Sequence, residues 1–159
     1  MDYHFVPFTV KDARQVATWH YPEKYAFYDE SAWQLTISAS IRPFMALTGT
    51  YLYSVYADRQ RRDLIGIFDF VKHGGEIEIG LALRPDLTGQ GNGLAFVQAG
   101  MDVGKTRFRP RAFILYVATF NLRAITVYER AGFQKERQVR RFTSHGYSPH
   151  WLMRCPLGQ

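Results

Sequence analysis

The sequence predicts one domain of mixed α/β class, and three observations carry that prediction. Some segments alternate apolar and polar residues while others repeat apolar residues at helical spacing, so strands and helices are both present. These segments follow in the order β, α, α, β, β, β, α, β, α, β, β, a helical N-terminal part leading into an α/β remainder. No internal repeat and no Pro/Gly/Ser linker interrupts the 159 residues, a length usual for a single domain.

Each element has its own signal. His4 to Phe8 reads as a first strand, Lys11 to Trp19 as a short helix, and Glu30 to Ile41 as a second helix that stops before Pro43, which has no N–H to continue it. Tyr51 to Ala57 and Asp63 to Lys72 are apolar runs around a polar, arginine-rich turn, the pattern of a β-hairpin. Glu76 to Leu83 alternates at first and becomes apolar toward its end, as a central strand entering a buried site does, and Pro85 ends it. After Gly93, the spacing of Leu94, Val97 and Met101 predicts a helix of about four turns. Arg111 to Ala118 is a strand. Asn121 caps a helix that carries Leu122, Ile125 and Tyr128 and is closed by Gly132. Phe133 to Phe142 and His150 to Arg154 are the last strands, around a Ser144–Pro149 loop.

Composition excludes several classes. Hydrophobic residues make up 47% and charged residues 21%, close to globular averages, so disordered, collagen-like and low-complexity chains are ruled out. The single cysteine, Cys155, excludes an internal disulfide and suits a reducing compartment. The N-terminus has no charged region followed by a long apolar run, and no stretch is apolar enough to span a bilayer, so a cytoplasmic location is expected and no membrane association. His4, His20, His73, His145 and His150 are scattered without metal-ligand spacing, so no metal is expected.

Twenty Lys and Arg against fourteen Asp and Glu give a net charge of +6, which favours anionic ligands without choosing among them. The cations fall in three groups: Arg59, Arg61 and Arg62 in the hairpin turn, Lys105, Arg107, Arg109 and Arg111 after a helix, and Lys135, Arg137, Arg140 and Arg141 along a strand. Solvated faces account for most such runs, and the second group is well placed against a helix C-terminus.

The most informative segment is Leu83-Arg84-Pro85-Asp86-Leu87-Thr88-Gly89-Gln90-Gly91-Asn92-Gly93-Leu94, with glycines on alternate positions between a strand and a helix. Such glycines let successive N–H groups converge on an anion at the positive end of a helix, a geometry suited to a pyrophosphate. Neither a dinucleotide-binding GxGxxG with its ribose-binding acid nor a P-loop Gly-Lys-Ser/Thr is present.

Together with Asn121-Leu122-Arg123-Ala124-Ile125-Thr126-Val127-Tyr128 and the following Gly132-Phe133, this strand and loop resemble the GNAT superfamily of N-acetyltransferases, from about Glu76 to Phe142. The resemblance implies a mostly antiparallel twisted sheet of six to seven strands with about four helices, splayed at the cofactor-binding strand, in a single acyl-CoA-binding domain. It implies acetyl-CoA as acyl donor, held by the backbone of Leu81, Ala82 and Leu83, by Thr88, Gly89, Gln90, Gly91, Asn92, Gly93 and Leu94, and by Asn121. Tyr128 matches the family's general acid. Thr88 departs from the pattern, standing where the family usually has Arg or Gln, and its hydroxyl is the expected substitute.

For the general base, Glu76 and Glu78 share one strand face by the two-residue period, with Glu78 nearer the thioester end. The cluster of Trp19, His20, Tyr21, Glu23, Tyr25, Phe27, Tyr28, Asp29, Glu30 and Trp33 offers rings and carboxylates to a cationic amine, or closes the core. The function these readings imply is acetyl transfer to a primary amine of a small molecule or a peptide or protein. The alternative is a non-catalytic acyl-CoA-binding or nucleic-acid-binding module, the latter using Lys135 to Arg141. A homodimer through the exposed edge of the last strands is also open.

Overall fold

The computed structural model describes residues 1–30 and 32–158, with the side chains of Ala32 and Trp33 outside the description. Its strands are β1 (His4–Pro7), β2 (Thr50–Tyr56), β3 (Leu64–His73), β4 (Glu76–Leu83), β5 (Ala112–Ala118), β6 (Gln134–Thr143) and β7 (Gly146–Pro156). The α-helices are α1 (Val10–Val16), α2 (Ala32–Leu47), α3 (Gly93–Phe108) and α4 (Leu122–Arg130), with 3-10 helices at Glu23–Tyr28 and Pro85–Leu87. The strands are hydrogen-bonded in the order β1-β2-β3-β4-β5-β7-β6. The β1–β2, β2–β3, β5–β7 and β6–β7 pairs are antiparallel and β4–β5 is parallel. This is the mixed, mostly antiparallel architecture that the sequence predicts.

The chain divides into two compact units, Met1–Val71 with Leu81–Gln90, and Lys72–Gly80 with Gly91 onward. In the first, Thr9 and Asp12 form a capping box that starts α1, satisfying two backbone donors at the helix end. Phe8, Ala13, Val16, Trp19, Leu35, Ala39, Tyr56 and Leu64 form a buried cluster. Asp12 is itself buried and accepts from Ser54 Oγ at 2.6 Å, from the Tyr56 hydroxyl and from Thr9 N at 3.2 Å. A buried carboxylate is tolerable only when its lone pairs are taken up in this way. In the second unit, Ile77, Ile79, Phe113, Leu115, Val117 and Met153 are buried from the sheet, and Phe96, Val97, Met101 and Ile125 from α3 and α4.

Three elements differ from the sequence prediction. Helix α2 does not stop before Pro43 but runs through it to Leu47. Pro43 lies on the exposed side, so the missing N–H removes one backbone bond without placing the ring in the core. What ends the helix is Gly49, at φ 87°, which supplies the left-handed residue that turns the chain into β2. Strand β7 begins at Gly146 rather than His150, because only Ser144 and His145 separate it from β6 in a register that closes on Thr143↔Gly146. Gly146, at φ 87°, takes the positive φ that so tight a turn requires. Residues 23–28 form a 3-10 helix where no element is predicted.

Candidate functional site

Strand β4 carries the first part of the candidate site. Its parallel ladder to β5 runs only from Glu76↔Ala112 to Glu78↔Ile114, whereas β5 goes on pairing β7 to Ala118↔His150. Ile79 and Gly80 therefore continue β4 beyond that ladder, the splay expected at a strand whose backbone groups serve a ligand. Of the three residues expected to lend N–H groups, Leu81 and Ala82 are half-buried and Leu83 is buried. The Leu83 carbonyl accepts from the Tyr21 hydroxyl at 2.8 Å.

The turn after β4 is braced by Arg84. Its guanidinium donates to both Asp86 oxygens at 2.6 and 3.1 Å, to Asp63 at 2.6 Å and to the Leu64 carbonyl at 3.0 Å. The hydrogen bond to Asp86 heads the causes that push the Arg84 pKa up, and the same bond holds the Asp86 carboxyl below its usual range. Arg84 N also donates to Ile65 O at 2.8 Å. Thr88 Oγ1 donates to the Pro85 carbonyl at 2.7 Å. A hydroxyl has one proton, and here it closes the 3-10 turn, so Thr88 would have to release that bond to donate to a phosphate.

Of the three loop glycines, Gly89 and Gly91 have φ of 70° and 81°, the left-handed region in which glycine alone is unstrained. A Cβ added at Gly91 would meet no heavy atom within 4 Å, so the space beside it is open. Gly93 is glycine for a different reason. As the first residue of α3, a Cβ there would lie 3.1 Å from Val127 Cγ2, so its bareness lets α3 and α4 approach. Gln90 Nε2 donates to Asp86 O at 2.6 Å. The first turn of α3 has no acidic residue, leaving its unpaired N–H groups and positive dipole end uncompensated by protein charge. Asn92 precedes that turn without a side-chain cap bond, and Leu94 lies within it.

Helix α4 supplies the remaining predicted groups. Asn121 Oδ1 accepts from Ala124 N at 3.2 Å, the cap expected from the sequence. Tyr128 is half-buried, its ring set edge-on to the buried Phe133 at 6.1 Å between centroids. Gly132, at φ 104°, turns the chain from α4 toward Phe133.

Glu76 and Glu78 lie on the sheet face opposite the buried Ile77 and Ile79, and both are ion-paired. Glu76 meets Arg154, whose Nε also donates to Glu136 at 2.8 Å. Glu78 is 2.7 Å from His73 Nε2 and 3.8 Å from Arg141, whose guanidinium stacks 3.8 Å over the Tyr116 ring. Sequence reading missed His73. The available signal was the Gly74-Gly75 turn between His73 and Glu76, since a hairpin brings such residues face to face with their neighbours two positions on. In the basic strand, Lys135 lies 4.9 Å from Trp151 and Arg140 5.4 Å from Tyr147, so several of its cations already face aromatic rings of the same unit.

The segment expected to face an acceptor divides. Trp19 is buried in the core cluster, so its ring closes the core. Asp29 organises the rest, accepting from Tyr21 N at 2.8 Å and pairing His20 at 3.1 Å. Tyr21 in turn ties this segment to Leu83. Phe27 and Tyr28 pack edge to face, and Lys24 lies 5.5 Å from the Tyr25 ring. The Trp33 side chain lies outside the described residues. Among those described, no group of His, Cys, Asp and Glu is arranged to hold a metal ion, and no helix is long and apolar enough to cross a membrane.

The sequence profile described as acetyltransferase (GNAT) domain matches residues 3–134. No curated protein matches the sequence. Similar solved structures include spermidine N-acetyltransferase from Vibrio cholerae in complex with CoA and spermine, at 18% identity and TM-score 0.76, covering 97% of this chain and 95% of that one. AAC(6')-Ib in complex with ribostamycin and coenzyme A is similar at 18% identity and TM-score 0.76 over 98% and 94% of the two chains. The ribosomal-protein-S5-alanine acetyltransferase of Vibrio fischeri follows at 14% and 0.71, over 98% and 93%.

Proposed function

Because the chain belongs to the GNAT acetyltransferase family, we propose that it transfers the acetyl group of acetyl-CoA directly to a primary amine of a small molecule or a peptide. The observation that carries this reading is the glycine loop. Gly89 and Gly91 adopt positive φ, open space lies beside Gly91, and the chain then enters α3 through a first turn without acidic side chains. Backbone N–H groups so arranged suit a pyrophosphate. Spermine and ribostamycin, bound in two of the similar structures, are amines, which favours an amine acceptor here.

Acetyl-CoA supplies the activated acyl group as a thioester. The N–H groups of Leu81, Ala82 and Leu83 would orient it and polarise its carbonyl, as fixed donors in a water-poor site do. The Tyr21 bond to Leu83 keeps the end of β4 in place and brings the acceptor segment with it. The Tyr128 phenol would give its proton to the departing thiolate. Glu78 would accept the amine proton. Its partner His73 is half exposed, with ring nitrogens that can both give and accept a proton, whereas Glu76 is held by Arg154, a guanidinium that only donates.

The test is calorimetric titration of acetyl-CoA, paired with a free-thiol assay over polyamines, aminoglycosides and peptide N-termini. Binding, amine-dependent thiol release, and a drop in kcat of roughly 10²-fold in Tyr128→Phe at unchanged acetyl-CoA affinity are expected. Absence of acetyl-CoA binding overturns the proposal, and binding with no release for any amine overturns its catalytic half.

A further inference from the structure

The end of α3 away from the glycine loop, 16 residues and about 24 Å along the helix, forms a second charged feature that acetyl transfer does not use. A depression of about 590 Å³ is lined there by Lys105, Arg109, Pro110, Arg111, Leu157 and Gly158. Three of its six lining residues are cations and none is an anion. Among the described residues neither Arg109 nor Arg111 has a carboxylate partner, and Lys105 has only Asp102, 3.4 Å away with a largely exposed side chain. Such an exposed pair neutralises little.

Like charges gathered without counter-charge repel, so their positions need a structural reason. For Arg111 the reason is visible. Its backbone is fixed by Arg111 N→Gly75 O and Leu157 N→Arg111 O, each 2.9 Å, and its guanidinium packs beside Gly75, where a Cβ would come within 3.3 Å of Nη1. Arg109 is the C-cap of α3, at φ 48° and ψ 53°, a left-handed position usually given to glycine. A charged side chain is therefore held where a bare residue would be less strained. Favourable placement against the helix dipole accounts for Lys105 and Arg107 in the last turn, but not for Arg111, which lies beyond the helix. The partial negative charge of the helix end opposes an anion with about half a unit, against three full positive charges.

We propose that this depression binds a small multivalent anion of the oligophosphate class, at a site separate from the proposed acetyl-CoA loop. Its volume falls in the range of small-molecule pockets, of order 300–1,000 Å³. Arginine forks engage phosphate oxygens in pairs, and Pro110 and Leu157 provide an apolar wall. A nucleic-acid strand would instead call for a long cationic groove with aromatic platforms.

The test is a titration of inorganic tripolyphosphate into the full chain followed by amide NMR. This locates binding and so separates it from the glycine loop whether or not acetyl-CoA binds there. Saturable shifts at Lys105, Arg109, Arg111 and Leu157 are expected, with affinity falling about a hundredfold or more in Lys105→Gln/Arg111→Gln, the loss of two charged contacts. Arg109→Gly separates binding from structure: it removes strain, so thermal stability should rise while tripolyphosphate affinity falls. Shifts confined to residues 89–94, affinity unchanged in these variants, or preferred binding of a single-stranded oligonucleotide with a steep salt dependence would overturn the proposal.

Discussion

Replacing Asp12 by alanine tests whether the buried network between α1 and β2 holds the first unit together. The carboxylate accepts from Ser54 Oγ, the Tyr56 hydroxyl and Thr9 N, while Ser54 and Tyr56 are 0% and 7% exposed. Hydrogen bonds to a charged group contribute roughly 1.5–3 kcal/mol each. Deleting the acceptor also leaves two buried hydroxyls without it, whereas relief of carboxylate desolvation works in the opposite direction. Leaving a buried donor unsatisfied costs about 1–3 kcal/mol for each hydroxyl. A loss of about 4 kcal/mol is therefore expected, which for a chain of 159 residues lowers the melting temperature by roughly 8–16 °C. Asp12→Asn should lose about half as much, because one amide face keeps an acceptor while the other presents a donor to a donor. Equilibrium urea unfolding, with the Asp12→Ala/Tyr56→Phe double variant, measures the coupling. A loss below about 1 kcal/mol, or strict additivity in the double variant, would refute the network's role.

Three further outcomes follow from the same geometry. Burial, followed by the hydrogen bond to Asp12, raises the Tyr56 pKa from 10.0, so above about pH 10 the unfolded chain releases a proton that the folded chain retains. Stability from this group is complete below pH 10 and falls as pH rises, by at most about 1.4 kcal/mol per unit. The stability gap between wild type and Tyr56→Phe should thus narrow above pH 10, and a gap constant to pH 11 would contradict this. Gly93→Ala should destabilise by about 1 kcal/mol through overpacking on Val127, net of its helix-propensity gain, and adding Val127→Ala should recover the steric part. Arg84→Lys keeps the charge but not the fork that spans Asp86 and Asp63, so acetyl-CoA affinity should fall about threefold to tenfold with little change in kcat; unchanged affinity in calorimetry would disconnect this brace from the loop.

What the sequence reveals and what it hides divides along the range of the interactions. The strand ending at Leu83, the positive φ of Gly89 and Gly91, and the Asn121 cap are local consequences of residue type and spacing, and all are legible. The reason for Gly93 is not, because it depends on Val127 in another helix. Nor is the Tyr21 bond to Leu83, 62 positions away, or the burial of Trp19 in the core rather than beside an acceptor. Pro43 misleads because its cost is tolerated on an exposed helix face, so the helix ends where Gly49 permits a turn. Equally hidden is the bond of the Thr88 hydroxyl to a carbonyl three residues earlier, a local competitor that a family pattern does not reveal.

The sequence favours Glu78 over Glu76 only by its place nearer the thioester end, and the charge network supports the same proposed choice. A base must take a proton and then lose it. Glu76 faces Arg154, which cannot take up a proton, and its carboxylate is fixed further by the same guanidinium's bond to Glu136. Glu78 faces His73 at 2.7 Å, with its second cation, Arg141, farther off at 3.8 Å and stacked on Tyr116. An imidazole with half its side chain exposed has one ring nitrogen toward Glu78 and a second that can exchange a proton with solvent. Glu76→Gln should therefore cost stability, about 1 kcal/mol, and leave kcat within about twofold, since Arg154 keeps Glu136. Glu78→Gln should lower kcat by roughly 10²-fold or more. His73→Gln should lower kcat less than Glu78→Gln, without altering acetyl-CoA affinity. If Glu76→Gln instead loses kcat as Glu78→Gln is expected to, the proton leaves by way of the arginine-bound carboxylate, and the assignment of Glu78 and His73 is wrong.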